Sequence, residues 1–233
     1  MPTAEFDDVA QTYQDDVVKN LGSLAKYRDS SLSYKCEYLK YFLQREPEGV
    51  LHFGCVIGLN TPYLKRYFPK TNLFGCDISP ESIEIASLNN YHCRFSVINA
   101  VEDLNQFKEQ NIDVVFAACV FHHIPLIEHE LWVCGLHDIL NNGGYLVIYE
   151  HNMKNPLTAR IVKRSKMDEG ATMLSASYWK PLLCRKFDKA DVRLNYTYFF
   201  PWRNRFLNSI EHLLRFVPLG AQYCVYAKRE QVG

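Results

Sequence analysis

Histidine is the side chain best suited to move a proton near neutral pH, and two groups of histidines in this 233-residue chain stand at the ends of apolar runs. One is the pair His122-His123 in "DVVFAACVFHHIP"; the other is His151, beside Glu150 in "GGYLVIYEH". Adjacent residues on a strand point to opposite faces, so one of His122 and His123 is expected to face a site and the other to be structural. His151, at a strand end, is the preferred general base, and its alternative is a turn histidine paired to backbone. A second set of residues suits binding. In "VLHFGCVIGLN" a strand runs into a turn bearing Gly54 and Gly58, where backbone can come close to a ligand. Asp77 in "FGCDISPESIEIA" can accept both hydroxyls of a ribose, and Asn99 in "NAVEDL" offers a donor and an acceptor to an adenine edge.

These residues need a scaffold that lines up strand ends. Helical spacing in "FDDVAQTYQDDVVKNLGSLAKYRDSSLSYKCEYLKYFLQR" (Val9, Tyr13, Val17, Leu21, Leu39, Phe42, Leu43) predicts helices to about Arg45, ended by "EPEG". Short apolar runs then alternate with helix-compatible stretches as far as "GGYLVIYEH", and the runs show little polar alternation. That pattern predicts an α/β, doubly wound fold whose parallel sheet is buried on both faces. Ser79 is an expected N-cap with Pro80 at the first helical position, which puts Asp77 at the carboxyl end of the second strand. In the same way the first strand ends at Gly54–Gly58, the third at Asn99, Ala100 and Val101, the fourth at Ala118 and Cys119, and the fifth at Glu150-His151. Such an edge is where open α/β sheets bind ligands. Past His151 come a helix around "NPLTARIVKRSK", strand-like "LNYTYFF" and "AQYCVYAK", and an amphipathic "RFLNSIEHLLRF" between them. The aromatic run from Tyr196 to Trp202 reads either as an acceptor-pocket lining or as a core strand.

The composition narrows the function classes. With 48% hydrophobic and 14% aromatic residues the chain can bury a full core, as one soluble domain rather than two. No apolar run reaches the length of a membrane span and the N-terminus lacks the order of a signal peptide, so a cytoplasmic protein is expected. Eight cysteines with no C-x-x-C pair suggest buried, reduced thiols rather than disulfides or zinc ligands. "HEL" at His129 lacks the second histidine of a helical zinc motif and is expected on an exposed helix, so no metal site is expected. The net charge of zero conceals 11 Lys and Arg against 20 Asp and Glu in residues 1–150, and 15 against 6 in residues 151–233. The basic part suits an anionic substrate, with Arg160, Lys163 and Arg164 as candidate contacts, or its charges are simply solvated. No basic-aromatic pattern points to nucleic acid.

The order "VLHFGCVIG", "FGCDISPESIEIA", "NAVEDL", "DVVFAACVFHHIP" and "GGYLVIYEH" resembles the class I S-adenosylmethionine-dependent methyltransferases over residues 35–150. The tail segments "EHNMKNPLTARIV", "MDEGATML", "YFFPW" and "VPLGAQYCVYAK" are similar to a group of small methyltransferases, of the type 11/12 kind, taken to act on saccharides or other biosynthetic intermediates. The resemblance implies a Rossmann-like, seven-stranded sheet with an antiparallel last strand. It also implies a helical lid over residues 1–46, a cofactor-binding core over 47–151 and a substrate-side part over 152–233. S-adenosylmethionine is the implied cofactor and S-adenosylhomocysteine its product. Carried over, Gly54, Cys55 and Gly58 lie against the methionine part, Asp77 grips the ribose, and Ile78, Asn99, Ala100 and Val101 meet the adenine. Ala118 and Cys119 are further cofactor-binding positions, and Tyr13 belongs to an "A-x-x-Y" pattern that closes on the cofactor.

Two positions depart from the family pattern. An acid is usual where this chain has His52, and a glycine where it has Val56. A β-branched residue at positive φ is an outlier, so Val56 is expected to take an ordinary β or α conformation or to displace the ligand. The implied activity is O-methylation, or less readily N-methylation, of a small-molecule, glycan or lipid-linked acceptor. The rival reading is a methyltransferase-like fold that has lost catalysis and serves as a binding protein. A dinucleotide-dependent oxidoreductase is disfavoured, because "GCVIGLN" lacks the third glycine of G-x-G-x-x-G.

Overall fold

The computed structural model describes Asp7, residues 10–202 and residues 205–230; Val9, read as the first apolar position of the helical spacing, lies outside them. Seven strands form one sheet: β1 (Gly49–Phe53), β2 (Asn72–Asp77), β3 (Cys93–Val97), β4 (Ile112–Ala118), β5 (Leu140–His151), β6 (Val192–Thr197) and β7 (Gln222–Lys228). Their order is β3-β2-β1-β4-β5-β7-β6. Strands β1 to β5 pair in parallel, while β7 runs antiparallel to both β5 and β6, as the family pattern implies.

The central strands are apolar throughout because helices cover both sheet faces. Side chains alternate along each strand, so Val50, Val114, Phe116, Val147 and Tyr149 face one side. There they pack on Tyr34, Cys36 and Leu39 of α2 (Arg28–Leu43) and on Leu64 of α3 (Thr61–Tyr67). Leu51, Phe53, Val115, Ala117, Leu146 and Ile148 face the other side. Their partners are Val133 and Leu136 of α5 (His129–Asp138), with Trp179 and Leu183 of α7 (Ala176–Leu183).

The remaining described helices are α1 (Tyr13–Leu21), α4 (Pro80–Asn89), α6 (Pro156–Val162) and α8 (Arg205–Leu214). Ser79 caps α4 as expected, its hydroxyl accepting the Ser82 N–H at 3.0 Å. Asn155 caps α6, its side-chain oxygen accepting the N–H groups of Leu157 and Thr158 at 3.0 and 3.1 Å. No described helix is long and apolar enough to cross a membrane.

The chain leaves β1 for β2 on one side, while β4 pairs on the other. The strand order therefore reverses at β1/β4, and the carboxyl ends of these strands splay a crevice open. Helix α1 and the turn after it lie over that crevice.

Candidate active site

A cavity of about 730 Å³ occupies the crevice. Its walls include the lid residues Tyr13, Val17 and Leu24, the β1 loop from Gly54 to Val56, Asp77, Asn99 and His151. This N-terminal segment is tied down at two points. Asp7 accepts hydrogen bonds from the Ser79 hydroxyl and the Glu81 N–H at the start of α4, and Asn20 donates to Ser165 at 3.2 Å. Burial raises the Tyr13 pKa, and the charges of Cys119, Asp168 and Asp77, which line the same cavity, push in the same direction.

The β1 loop corrects the expectation for Val56. Instead of reverting to an ordinary conformation, Val56 takes φ +47°, flanked by Gly54 at +65° and Gly58 at +76°. The turn keeps its left-handed form because Asp77 holds it: Oδ2 of Asp77 accepts the Val56 N–H at 2.8 Å, and Oδ1 accepts the Ser79 N–H at 3.1 Å. A side chain at Gly54 is excluded, since a Cβ there would stand 2.4 Å from the Val120 side chain. Three non-glycine residues in the cavity wall share this uncommon geometry: Val56, Cys119 at +58° and Tyr198 at +59°. Left-handed backbone costs an L-residue about 1–2 kcal/mol, and a glycine gives back part of any relief through unfolded-state entropy. Val56→Gly is therefore expected to raise Tm by roughly 2–4 °C, the shift that about 1 kcal/mol produces in a domain of this size. Differential scanning calorimetry checks it; an unchanged or lower Tm would mean that packing of the Val56 side chain repays the strain.

Burial raises the Asp77 pKa, while the backbone N–H groups of Ser79, Val56 and Ile78 restrain the rise. His52 is buried on β1 with its ring edge-on to Phe116 at 5.3 Å, and its Nδ1 has no hydrogen-bond partner among the described residues. Burial first, then the charge of Lys35, lowers its pKa to about 3, so His52 is neutral at pH 7. Lys35 is itself buried on α2 and lines the cavity, so the charge acting on His52 is a cation.

The histidines of the cavity wall form a cluster. His122 and His123 lie in a single 3-10 turn, Phe121–His123, and not on a strand; both line the cavity, with ring centroids 4.2 Å apart. The expectation that only one faces the site is thus corrected, because the turn lacks the two-residue alternation that a strand imposes. His122 Nδ1 donates to Glu150 Oε2 at 2.6 Å and Nε2 donates to Asp168 Oδ1 at 3.2 Å. Burial opposes charging of His122, but Glu150 and Asp168 outweigh it and raise the pKa to about 10. The same charge on His122 adds to burial in lowering His123 and His151, each to about 4. Burial raises Glu150, and the charge and hydrogen bond of His122 overcome that and lower it.

A buried carboxylate hydrogen-bonded to a charged ring contributes more than a neutral pair, typically about 1.5–3 kcal/mol. Glu150→Gln is accordingly expected to lower stability by about 2 kcal/mol in denaturant titration, and a change under about 0.5 kcal/mol would show that desolvation cancels the pair's attraction.

His129 is not on an exposed face, as "HEL" had suggested, but fully buried. Its Nε2 must carry the proton, because both neighbours there are carbonyls: it donates to Phe121 and Ile124 oxygens at 2.9 Å, while the Tyr178 hydroxyl donates to Nδ1 at 2.8 Å. His129 thereby pins the turn that carries His122 and His123.

Among the sequence-derived cofactor positions, Tyr13, His52, Gly54, Cys55, Asp77, Ile78, Asn99, Ala118 and Cys119 line the cavity. Gly58, Ala100 and Val101 do not: Gly58 packs beside Asn90 and Ala86, Ala100 faces solvent, and Val101 lies on the apolar core. Arg160, Lys163 and Arg164 also stand outside it, since α6 turns Leu157, Thr158 and Ile161 inward; the basic side chains in the wall are Lys35, Lys166 and Arg28. Of the aromatic run, Tyr198 and Phe199 reach the cavity and Trp202 is exposed. Lys35, Asp168 and Gln222 were missed in sequence. Asp168 lies within "MDEGATML", which carried a resemblance but no role, and Lys35 shows only as an unremarkable charge in a helix.

Residues 51–148 match the model of the methyltransferase domain family, type 11. No curated protein matches the sequence. Solved structures do: the plantazolicin methyltransferase BpumL, in complex with S-adenosylhomocysteine, is 18% identical with TM-score 0.62, the alignment covering 97% of this chain and 92% of that one. A SAM-dependent methyltransferase from Archaeoglobus fulgidus is 16% identical with TM-score 0.58, covering 83% of this chain and 94% of that one.

Proposed function

We propose that this chain is a class I S-adenosylmethionine-dependent methyltransferase of the type 11 kind, and that it methylates a hydroxyl oxygen of a small molecule, or of a glycan or lipid-linked intermediate, with His151 as the general base; the family match over residues 51–148 and the shared fold support this reading. The observation that carries this reading is one cavity whose wall holds the Gly54–Val56 loop, Asp77 and Asn99 together with His151. The cofactor, when bound, supplies a methyl group already activated on a sulfonium.

The residues present fit it. Asp77 spends one lone pair on each backbone N–H it accepts and keeps others for a ribose diol. Ile78 offers an apolar surface for a base, and Asn99 an amide edge. The left-handed β1 loop brings backbone, rather than side chain, against the methionine end. With little bond activation left to provide, the protein's share is to align the acceptor, exclude water and take up one proton. The lid and the apolar part of the wall exclude water. His151, neutral at pH 7, can accept the hydroxyl proton, and the charged His122 cannot. Lys35 and Lys166 are the cations available to orient an anionic acceptor.

Isothermal titration calorimetry with S-adenosylmethionine and S-adenosylhomocysteine is the first test. Heat of binding is expected for both; none at millimolar ligand would overturn the reading. A screen of nucleotide sugars and lipid-linked intermediates for methyl uptake then identifies the acceptor.

A further inference from the structure

Spacing along the chain points to no metal site, yet the fold gathers three donor atoms of the kind that metals use. We propose that His122 Nε2, His123 Nε2 and Asp168 Oδ1 bind one divalent transition-metal ion, of the zinc class, at the cavity wall. The Asp168 oxygen lies 3.2 Å from His122 Nε2 and 3.8 Å from His123 Nε2, and all three residues offer a ligand atom within 4.8 Å of the others. Metal–ligand bonds of about 2.0–2.1 Å in a tetrahedron set ligand atoms roughly 3.3–3.4 Å apart, so small side-chain shifts admit the ion. Two imidazoles and one carboxylate suit zinc and its neighbours better than calcium or magnesium.

The surroundings supply what such a site needs beyond its ligands. Glu150 Oε2 sits 2.6 Å from the other nitrogen of His122, the carboxylate-histidine arrangement that fixes the ring and raises its basicity toward a metal. The turn is preset by His129 and by the Thr172 N–H, which donates to the His122 carbonyl at 2.9 Å. Two carboxylates and a dication sum to zero, so the occupied site is neutral in a buried setting. On binding, the His122 Nε2–H bond breaks, its proton leaves to solvent, and the nitrogen lone pair forms the bond to metal. All three ligands line the cavity, and the His151 ring lies 5.4 Å from that of His122. The fourth position can therefore take the oxygen of an acceptor hydroxyl beside the base. That last step rests on the methyl-transfer reading; the metal site does not.

The test is a Co(II) titration of the full chain after dialysis against chelator, followed by visible absorption, with Zn(II) calorimetry in parallel. Wild type is expected to take one equivalent and to show the intense d–d bands of a tetrahedral site. His123→Ala and Asp168→Asn should abolish the bands, and Glu150→Gln should weaken Zn(II) binding about 10- to 100-fold. His137→Ala, at a half-buried histidine away from the cavity, serves as the control and should bind as wild type does. No bands in wild type, bands that survive His123→Ala and Asp168→Asn together, or bands lost with His137→Ala would each overturn the site. S-adenosylhomocysteine binding to the same metal-free sample reports separately on the methyltransferase reading: it sinks that reading if absent, and leaves the metal result standing either way.

Discussion

Asp77→Ala is expected to weaken S-adenosylhomocysteine binding by roughly 100- to 10,000-fold. The proposed ribose contact places two hydroxyls on one carboxylate, and hydrogen bonds to a charged acceptor are worth about 1.5–3 kcal/mol each, or about 3–6 kcal/mol together. At 1.4 kcal/mol per tenfold this gives the stated range. Asp77 also accepts the N–H groups of Val56 and Ser79, so its removal releases the loop that faces the methionine end. Asp77→Asn separates the two contributions, because an amide keeps the side chain's shape but has one oxygen in place of two. Calorimetry on both variants, with Tm recorded beside it, is the check. Affinity within threefold of wild type in the folded alanine variant would remove Asp77 from the cofactor site.

His151→Ala should lower kcat for the acceptor found in the screen by about 100- to 10,000-fold, the usual worth of a positioned general base. S-adenosylhomocysteine affinity should stay within a few fold, since the imidazole is assigned to the acceptor. Burial first, and the charge on His122 second, holds the His151 pKa near 4. The base is thus ready over the whole physiological range, and the wild-type rate is expected to be flat from pH 6 to 8 and to fall only as acid protonates His151 near pH 4. A kcat within threefold of wild type would assign the proton to another acceptor. A turn histidine paired to backbone would give that null result, along with a drop in stability.

Most of the scaffold was legible because parallel strands buried on both faces leave an unmistakable apolar run, and Ser79-Pro80 marks where β2 must end. The antiparallel β7 followed from family pattern, not from periodicity. Less visible were features decided by tertiary contact. His129 sits in a polar stretch, yet two backbone carbonyls and Tyr178 draw it inside. His122 and His123 were assigned strand alternation even though the fourth strand was read to end at Ala118 and Cys119; Cys119 takes positive φ there, and the two histidines fall in the 3-10 turn that follows. Asp168 is 46 residues from His122, and only the folded chain shows that the two are partners. Of the two outcomes expected for Val56, the ordinary conformation fails for an energetic reason: local preference disfavours the left-handed turn, but a hydrogen bond to Asp77 holds it.

The left-handed trio of Val56, Cys119 and Tyr198 bears on how this chain would respond to selection. Each could gain melting temperature by becoming glycine or asparagine, and each stands in the cavity wall. A library screened for heat resistance alone would therefore accumulate changes at the site itself, and its hardiest members would be poor guides to turnover. Screened for product, the same library should keep Cys119 and Tyr198, admit glycine at position 56, and collect its other stabilising changes on the far ends of the strands.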